Sequence, residues 1–198
     1  MAESKRHVIL IAGPNRAGKT TIAPKLLGRR LKVVEFVNAD TISTGLSGFR
    51  PDSTAFEAGR IMRARLKILA DRRSSFAFET TLASRTFAPW ITRLCRAGYE
   101  FHLIFLWLQN PDQAVERVRD RVLMGGHNVP EDMIRRRYHA GLRNFFTLYQ
   151  PLATSWEFYD NSSYQPVKLI AAGQGKTVET VHDPVTWDAV VKGTTREE

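Results

Sequence analysis

Residues 13 to 20 read Gly13-Pro14-Asn15-Arg16-Ala17-Gly18-Lys19-Thr20. A glycine at one end and a Gly-Lys-Thr run at the other are what a phosphate cradle needs. Backbone N–H groups can wrap an anion only where side chains leave them room. The next helix then begins at the phosphates, with its positive end facing them. The segment matches G-x-x-x-x-G-K-[ST] at every fixed position. This chemistry asks Lys19 to neutralise β and γ oxygens and the Thr20 hydroxyl to ligate magnesium. The expected ligands are therefore ATP and Mg2+, held by Gly13, Pro14, Asn15, Arg16, Ala17, Gly18, Lys19, Thr20 and the adjoining Thr21. Arg16 stands where a small residue is usual. A positive φ there would cost about 1 kcal/mol; the alternative is a side chain that points out of the loop at no cost.

Two acidic strand ends are the next candidates. Asn38-Ala39-Asp40 places a carboxylate after the second apolar run. Asp40 there suits a catalytic base that orients an acceptor hydroxyl and takes its proton. It also suits a helix cap before Thr41-Ile42. Phe78-Glu79-Thr80-Thr81 ends the third run with an acid flanked by hydroxyls, costly to bury unpaired. Glu79 is expected to hold magnesium through water or to bond the acceptor, and Thr81 to donate to the acceptor. The competing reading is capping of a helix from Ser84. The fourth run, Phe105 to Asn110, ends without an acid.

Cations follow. Arg117 and Arg121 are four apart and share one helix face. After Met124-Gly125-Gly126-His127-Asn128-Val129-Pro130 come Arg135, Arg136 and Arg137. Two arginine-bearing helices joined by a glycine hinge make a lid over about 117–138 that can close on phosphates and exclude water. Arginine grips phosphate bidentately. Arg121 and Arg136 are the favoured catalytic cations, with Arg137 third; a solvated basic face is the alternative. His127 reads as a hydrogen-bonding hinge residue rather than a base.

These residues need a frame. Apolar runs at 8–12, 32–38, 75–80 and 100–108 read as strands, followed by 156–160 and 167–172. Helices are expected over 19–28, 51–72, 84–97, 111–124 and 131–149, with a short fraying one in the tail from 182. Strands alternating with helices give an α/β fold, a P-loop three-layer sandwich with a mostly parallel sheet and a helical lid. Ligands in such folds bind beyond the carboxyl ends of the strands. The 198 residues, 43% of them hydrophobic, suit a single domain over 1–198. No stretch approaches the roughly 18–20 apolar residues of a membrane helix, and the amino terminus lacks a secretory pattern. A cytoplasmic protein without a membrane partner is expected. The net charge of +9 raises nucleic acid as a partner. A concentration of arginines between 117 and 137, beside a phosphate site, is equally explained by a small polyanion, so nucleic acid is not the expected partner. The single Cys95 excludes an internal disulfide and reads as a small buried hydrophobe. Trp156, Phe158 and Tyr159 read as core.

Taken together, Gly13–Thr20, Asn38-x-Asp40, Phe78-Glu79-Thr80-Thr81-Leu82, Arg121-x-x-x-Gly125-Gly126-His127-x-Val129-Pro130, Arg136-Arg137-Tyr138 and Tyr159-Asp160-Asn161-Ser162 resemble the zeta toxin family of P-loop kinases. The resemblance covers about 8–170. It implies a kinase fold, Lys19 and Thr20 at phosphate and metal, Asp40 as base, Glu79 and Thr81 on the acceptor, and Arg121 and Arg136 on the γ-phosphate. It further implies phosphorylation of a sugar hydroxyl on a UDP-N-acetyl amino sugar, and an antitoxin that blocks the nucleotide site. A nucleoside or polynucleotide kinase, and a nucleotide-binding switch without phosphoryl transfer, remain the alternatives.

Overall fold

The computed structural model describes residues 5–30, 33, 35–47, 51–126, 128–163 and 166–195. In chain order the elements are β1 (Arg6–Ala12), α1 (Lys19–Arg30), β2 (Phe36–Val37), α2 (Ala39–Leu46), α3 (Ala55–Asp71), β3 (Phe76–Thr80), α4 (Phe87–Arg96), β4 (Tyr99–Trp107), α5 (Pro111–Leu123), α6 (Glu131–Asn144), β5 (Ser155–Asp160), β6 (Lys168–Gln174), β7 (Thr177–Val181) and α7 (Pro184–Thr195). The strands form one seven-stranded sheet in the order β2-β3-β1-β4-β5-β6-β7. The pairs from β2 to β5 are parallel and the two at the far edge antiparallel.

Alternation along β1 explains why its sequence is apolar throughout. Val8, Leu10 and Ala12 face one core cluster, and Ile9 and Ile11 face the other. A strand buried on both faces has no polar side. The first cluster takes Met62, Leu66 and Leu69 from α3, Ile91 and Leu94 from α4, and Trp187 from α7. The second takes Ala23 from α1 and Ala114, Val115 and Val118 from α5. Helices thus cover both faces of the sheet, the three-layer α/β sandwich that the sequence implies. Trp156, Phe158 and Tyr159 are buried. Cys95 is half-buried, and burial pushes its thiol pKa up, as suits a small hydrophobe. Among the described residues no helix is long and apolar enough to cross a membrane.

Several elements differ from the sequence expectation. The second strand is only Phe36–Val37; positions 31, 32 and 34 lie outside the described residues. The helix expected from Ser84 starts at Phe87, because Leu82 takes a positive φ of 62° and the Ser84 hydroxyl accepts from the Thr86 N–H. The helix expected over 131–149 is α6 followed by a π-helical turn, Phe145–Tyr149. The strand β7, exposed at the sheet edge, went unforeseen. The helix at Thr41-Ile42, the alternative reading for Asp40, is present as α2, although its Ser, Thr and Gly content is disfavoured by intrinsic propensity. The tail helix is a regular α7, Pro184–Thr195.

Candidate active site

The loop after β1 enters α1 through three positive-φ residues, Gly13 (142°), Arg16 (59°) and Gly18 (82°). Both glycines suit the positive φ, and at Gly13 space also requires glycine because the obstacle is backbone. A Cβ on Gly13 would lie 2.2 Å from the Leu106 carbonyl oxygen, and one on Gly18 would lie 2.6 Å from Asn161 Nδ2. Arg16 does adopt the left-handed conformation, so the cost of about 1 kcal/mol applies. Neighbours hold the loop. Asn161 Nδ2 donates to the Ala17 carbonyl at 2.8 Å. Arg117 donates to the Arg16 carbonyl at 3.4 Å and to those of Asn161 and Ser162 at 2.8 and 3.0 Å. The loop after β5 therefore buttresses the loop after β1, a contact between distant chain segments that spacing alone does not show.

A cleft of about 520 Å3 opens beside this loop. Asn15, Arg16, Gly18, Lys19, Thr20 and Thr21 of the loop and α1 line it together with Asp40, Glu79 and Thr81 and with Arg137 from the lid. Gly13, Pro14 and Ala17 are buried behind it. Lys19 is buried, and its ammonium donates to the Pro14 carbonyl at 2.8 Å. Burial pushes the Lys19 pKa down, against the pull of Glu79 and Asp40. A desolvated ammonium favours an anion beside it.

Glu79 is also buried, and the Thr20 hydroxyl donates to its Oε2 at 2.9 Å. Burial pushes the Glu79 pKa up; the Lys19 charge and the Thr20 hydrogen bond oppose this. Thr20 and Glu79 thus bring hard oxygen donors together where the phosphate loop meets β3, a set that suits Mg2+. Asn38 Nδ2 donates to Thr20 Oγ1 at 3.3 Å. The Asn38 side-chain Oδ1 accepts from the N–H groups of Asp40 at 2.7 Å and Thr41 at 3.3 Å. Asn38, not Asp40, therefore caps α2, and capping leaves the Asp40 carboxylate on the cleft wall.

The wall carrying Thr81 is strained and clamped. Leu82 holds a positive φ with its side chain fully buried. Such a conformation persists only where the surroundings over-determine it. Here Leu82 N–H donates to Thr80 Oγ1 at 3.2 Å, and its carbonyl accepts from the buried Asn144 at 2.9 Å. Asn144 also reaches the Ala83 carbonyl at 3.2 Å, and the Tyr149 hydroxyl donates to that of Ser84 at 2.7 Å. Gly141 lies against the Thr81 carbonyl, where a Cβ would come within 2.4 Å. Asn144, Gly141 and Tyr149 carried no signal in the sequence, because their partners are more than 50 residues away.

The lid arginines divide by partner. Arg117 holds loop carbonyls, as described. Arg119 and Arg135 pair with Glu131 at 2.8 and 2.7 Å, and Arg135 also with Asp112 at 2.6 Å. Arg121, Arg136 and Arg137 have no ion pair among the described residues. Gly126 packs on Arg121, where a Cβ would meet its Cγ at 2.6 Å. Arg137 is half-buried and lines the cleft, whereas Arg121 and Arg136 are exposed and do not line it in this arrangement. Burial and the neighbouring Arg136 push the Arg137 pKa down; Asp40 opposes them. His127 lies outside the described residues.

The family model described as Zeta toxin matches residues 1–164. An uncharacterized protein of Haemophilus influenzae is 23% identical over 134 residues, 68% of this chain and 94% of that protein. Among solved structures, the AvrRxo1-ORF1:AvrRxo1-ORF2 complex with sulphate ions superposes with a TM-score of 0.73 at 14% identity. The same complex with ATP gives 0.67 at 13%. Both matches cover 94% of this chain, which spans only 63% of the matched one. The PezAT toxin-antitoxin system of Streptococcus pneumoniae gives 0.65 at 15%, covering 99% of this chain and 87% of that one. At these identities the solved structures show a shared fold.

Proposed function

The chain belongs to the zeta toxin family, and on that premise we propose that it transfers the γ-phosphoryl group of ATP to a hydroxyl of a small acceptor, a UDP-N-acetyl amino sugar. The family and the P-loop fold support a phosphotransferase. One observation carries the reading: Asp40 and Thr81 line the same cleft as Lys19 and Thr20 of the phosphate loop. A nucleotide switch needs only Lys19, Thr20 and an acid such as Glu79 near the metal. An acceptor kinase needs Asp40 and Thr81 as well.

In this proposal the loop amides and Lys19 bind the phosphates, and Lys19 exchanges the Pro14 carbonyl for a phosphate oxygen. Thr20, with Glu79 behind it, holds Mg2+, which when bound offsets charge on the phosphate oxygens. Asp40 takes the proton of the acceptor hydroxyl. Glu79 and Thr81 orient the acceptor. Arg137 already lines the cleft; Arg121 and Arg136 join it as the lid closes and stabilise the charge that develops in transfer. The whole chain acts as one domain, in the cytoplasm. An antitoxin that occludes the nucleotide cleft is the proposed protein partner, in line with the toxin-antitoxin system among its structural neighbours.

The test is D40N, assayed with labelled ATP and a panel of nucleotide sugars and nucleosides. Loss of a positioned base lowers transfer about 10²–10⁴-fold, while ATP affinity holds. Transfer by D40N at the wild-type rate would remove Asp40 from this role. A panel in which no acceptor is phosphorylated by the wild type would remove the kinase.

A further inference from the structure

At the end of the sheet opposite the phosphate loop, three ligating side chains converge on one face. His7 lies near the start of β1, and Glu100 and His102 on β4, with His7 in register with Glu100. His7 Nδ1 and His102 Nε2 face each other at 3.0 Å. Glu100 Oε2 lies 3.5 Å from the first and 3.9 Å from the second. Donor atoms at about 2.0–2.1 Å from a tetrahedral zinc stand about 3.3 Å apart, so the three separations bracket the edges of one coordination tetrahedron. We propose that His7, Glu100 and His102 bind a zinc ion through Nδ1, Oε2 and Nε2, with solvent completing the shell.

Three further features fit. His102 Nδ1 contacts Ser155 Oγ at 2.8 Å across the β4–β5 pair, leaving Nε2 to face the cluster. Ligating histidines commonly have their second ring nitrogen held in this way. Lys5 engages Glu100 Oε1 at 2.6 Å and leaves Oε2 toward the histidines. The side chains of His7, Glu100 and His102 are 20%, 25% and 15% exposed, so an ion can reach them from solvent. Two imidazoles and a carboxylate suit zinc, whereas the all-oxygen set at Thr20 and Glu79 suits magnesium. The site is separate from the phosphate cradle: β1 spans seven residues, about 20 Å of strand. An ion here would fasten the start of the strand that carries the phosphate loop to its neighbour β4.

The experiment uses untagged full-length protein, freed of metal by chelation and without nucleotide, titrated with Zn2+ by calorimetry. Expected are about one saturable equivalent, a rise in melting temperature, and visible d–d absorption when Co2+ replaces zinc. His102→Gln and His7→Gln each abolish all three signals while leaving far-ultraviolet dichroism and ATP binding as in the wild type. Ser155→Ala retains the site and weakens zinc about 10-fold. Absence of saturable binding, or equal affinity in His102→Gln, overturns the proposal. Should one histidine variant fail to fold, the other and Ser155→Ala decide.

Discussion

Gly141→Ala tests how the wall bearing Thr81 is positioned. A Cβ at this point of α6 would stand 2.4 Å from the Thr81 carbonyl oxygen. Ordinary contact begins near 3.4 Å, so helix and wall must part by about 1 Å. The obstacle is backbone, so no side chain can rotate away. Alanine gains about 1 kcal/mol of helix propensity, against an overpacking cost of about 1–3 kcal/mol. The net loss is then about 0–2 kcal/mol, a fall in Tm of a few degrees. Rate suffers more. Asn144 and Tyr149 anchor Leu82 and Ser84 to the segment that carries Gly141, so the displacement falls on Thr81 beside those anchors. A misplacement of about 1 Å costs about 100-fold in transfer. The assay measures Tm, ATP affinity by calorimetry, and phosphoryl transfer to the acceptor that the panel identifies. We expect a small fall in Tm, unchanged ATP affinity and about 100-fold slower transfer. A raised Tm with undiminished transfer would refute the reasoning, since α6 would then not position the acceptor side.

Further predictions separate the remaining parts of the site. R137A lowers the transfer rate by about 10²–10³-fold, as loss of a preorganised cation should, and R136A by less; the reverse order, read from single-turnover rates, would return the role to Arg136. N161A removes the donor to the Ala17 carbonyl and weakens ATP about fivefold, the worth of about 1 kcal/mol; unchanged affinity in calorimetry would show that the loop supports itself. Tyr149 gives a pH signature. Burial raises its phenol from 10.0 to about 12. The folded state therefore holds this proton more tightly than the unfolded chain. The contribution is complete below pH 10 and is lost as pH rises toward 12, about 2–3 kcal/mol in all. Y149F should flatten that alkaline decline in urea titrations and cost about 1 kcal/mol at pH 8 for the lost hydrogen bond; equal declines in both proteins would exclude Tyr149 as the source.

The amino-acid sequence alone determined the frame of the site. The proposed phosphate cradle is written in consecutive residues, because Gly13 to Thr20 would act through their own backbone. Buried parallel strands are legible as unbroken apolar runs, and Asp40 and Glu79 are legible because they sit at the ends of two of them. Short-range hydrogen bonding left one ambiguity, whether Asp40 is a base or caps a helix before Thr41-Ile42, and the fold gives the cap to Asn38, whose side-chain Oδ1 accepts from the helix amides. Of the short α2 only its start was legible, and the exposed β7 escaped notice because edge pairing outweighs little burial. What only tertiary structure decided are contacts between distant segments: Asn161 against Gly18, Gly141 against Thr81, Arg137 rather than Arg136 on the cleft wall, and two histidines of neighbouring strands 3.0 Å apart. Such contacts arise from the register and packing of elements dozens of residues apart, and no local pattern in the chain encodes a distance between them.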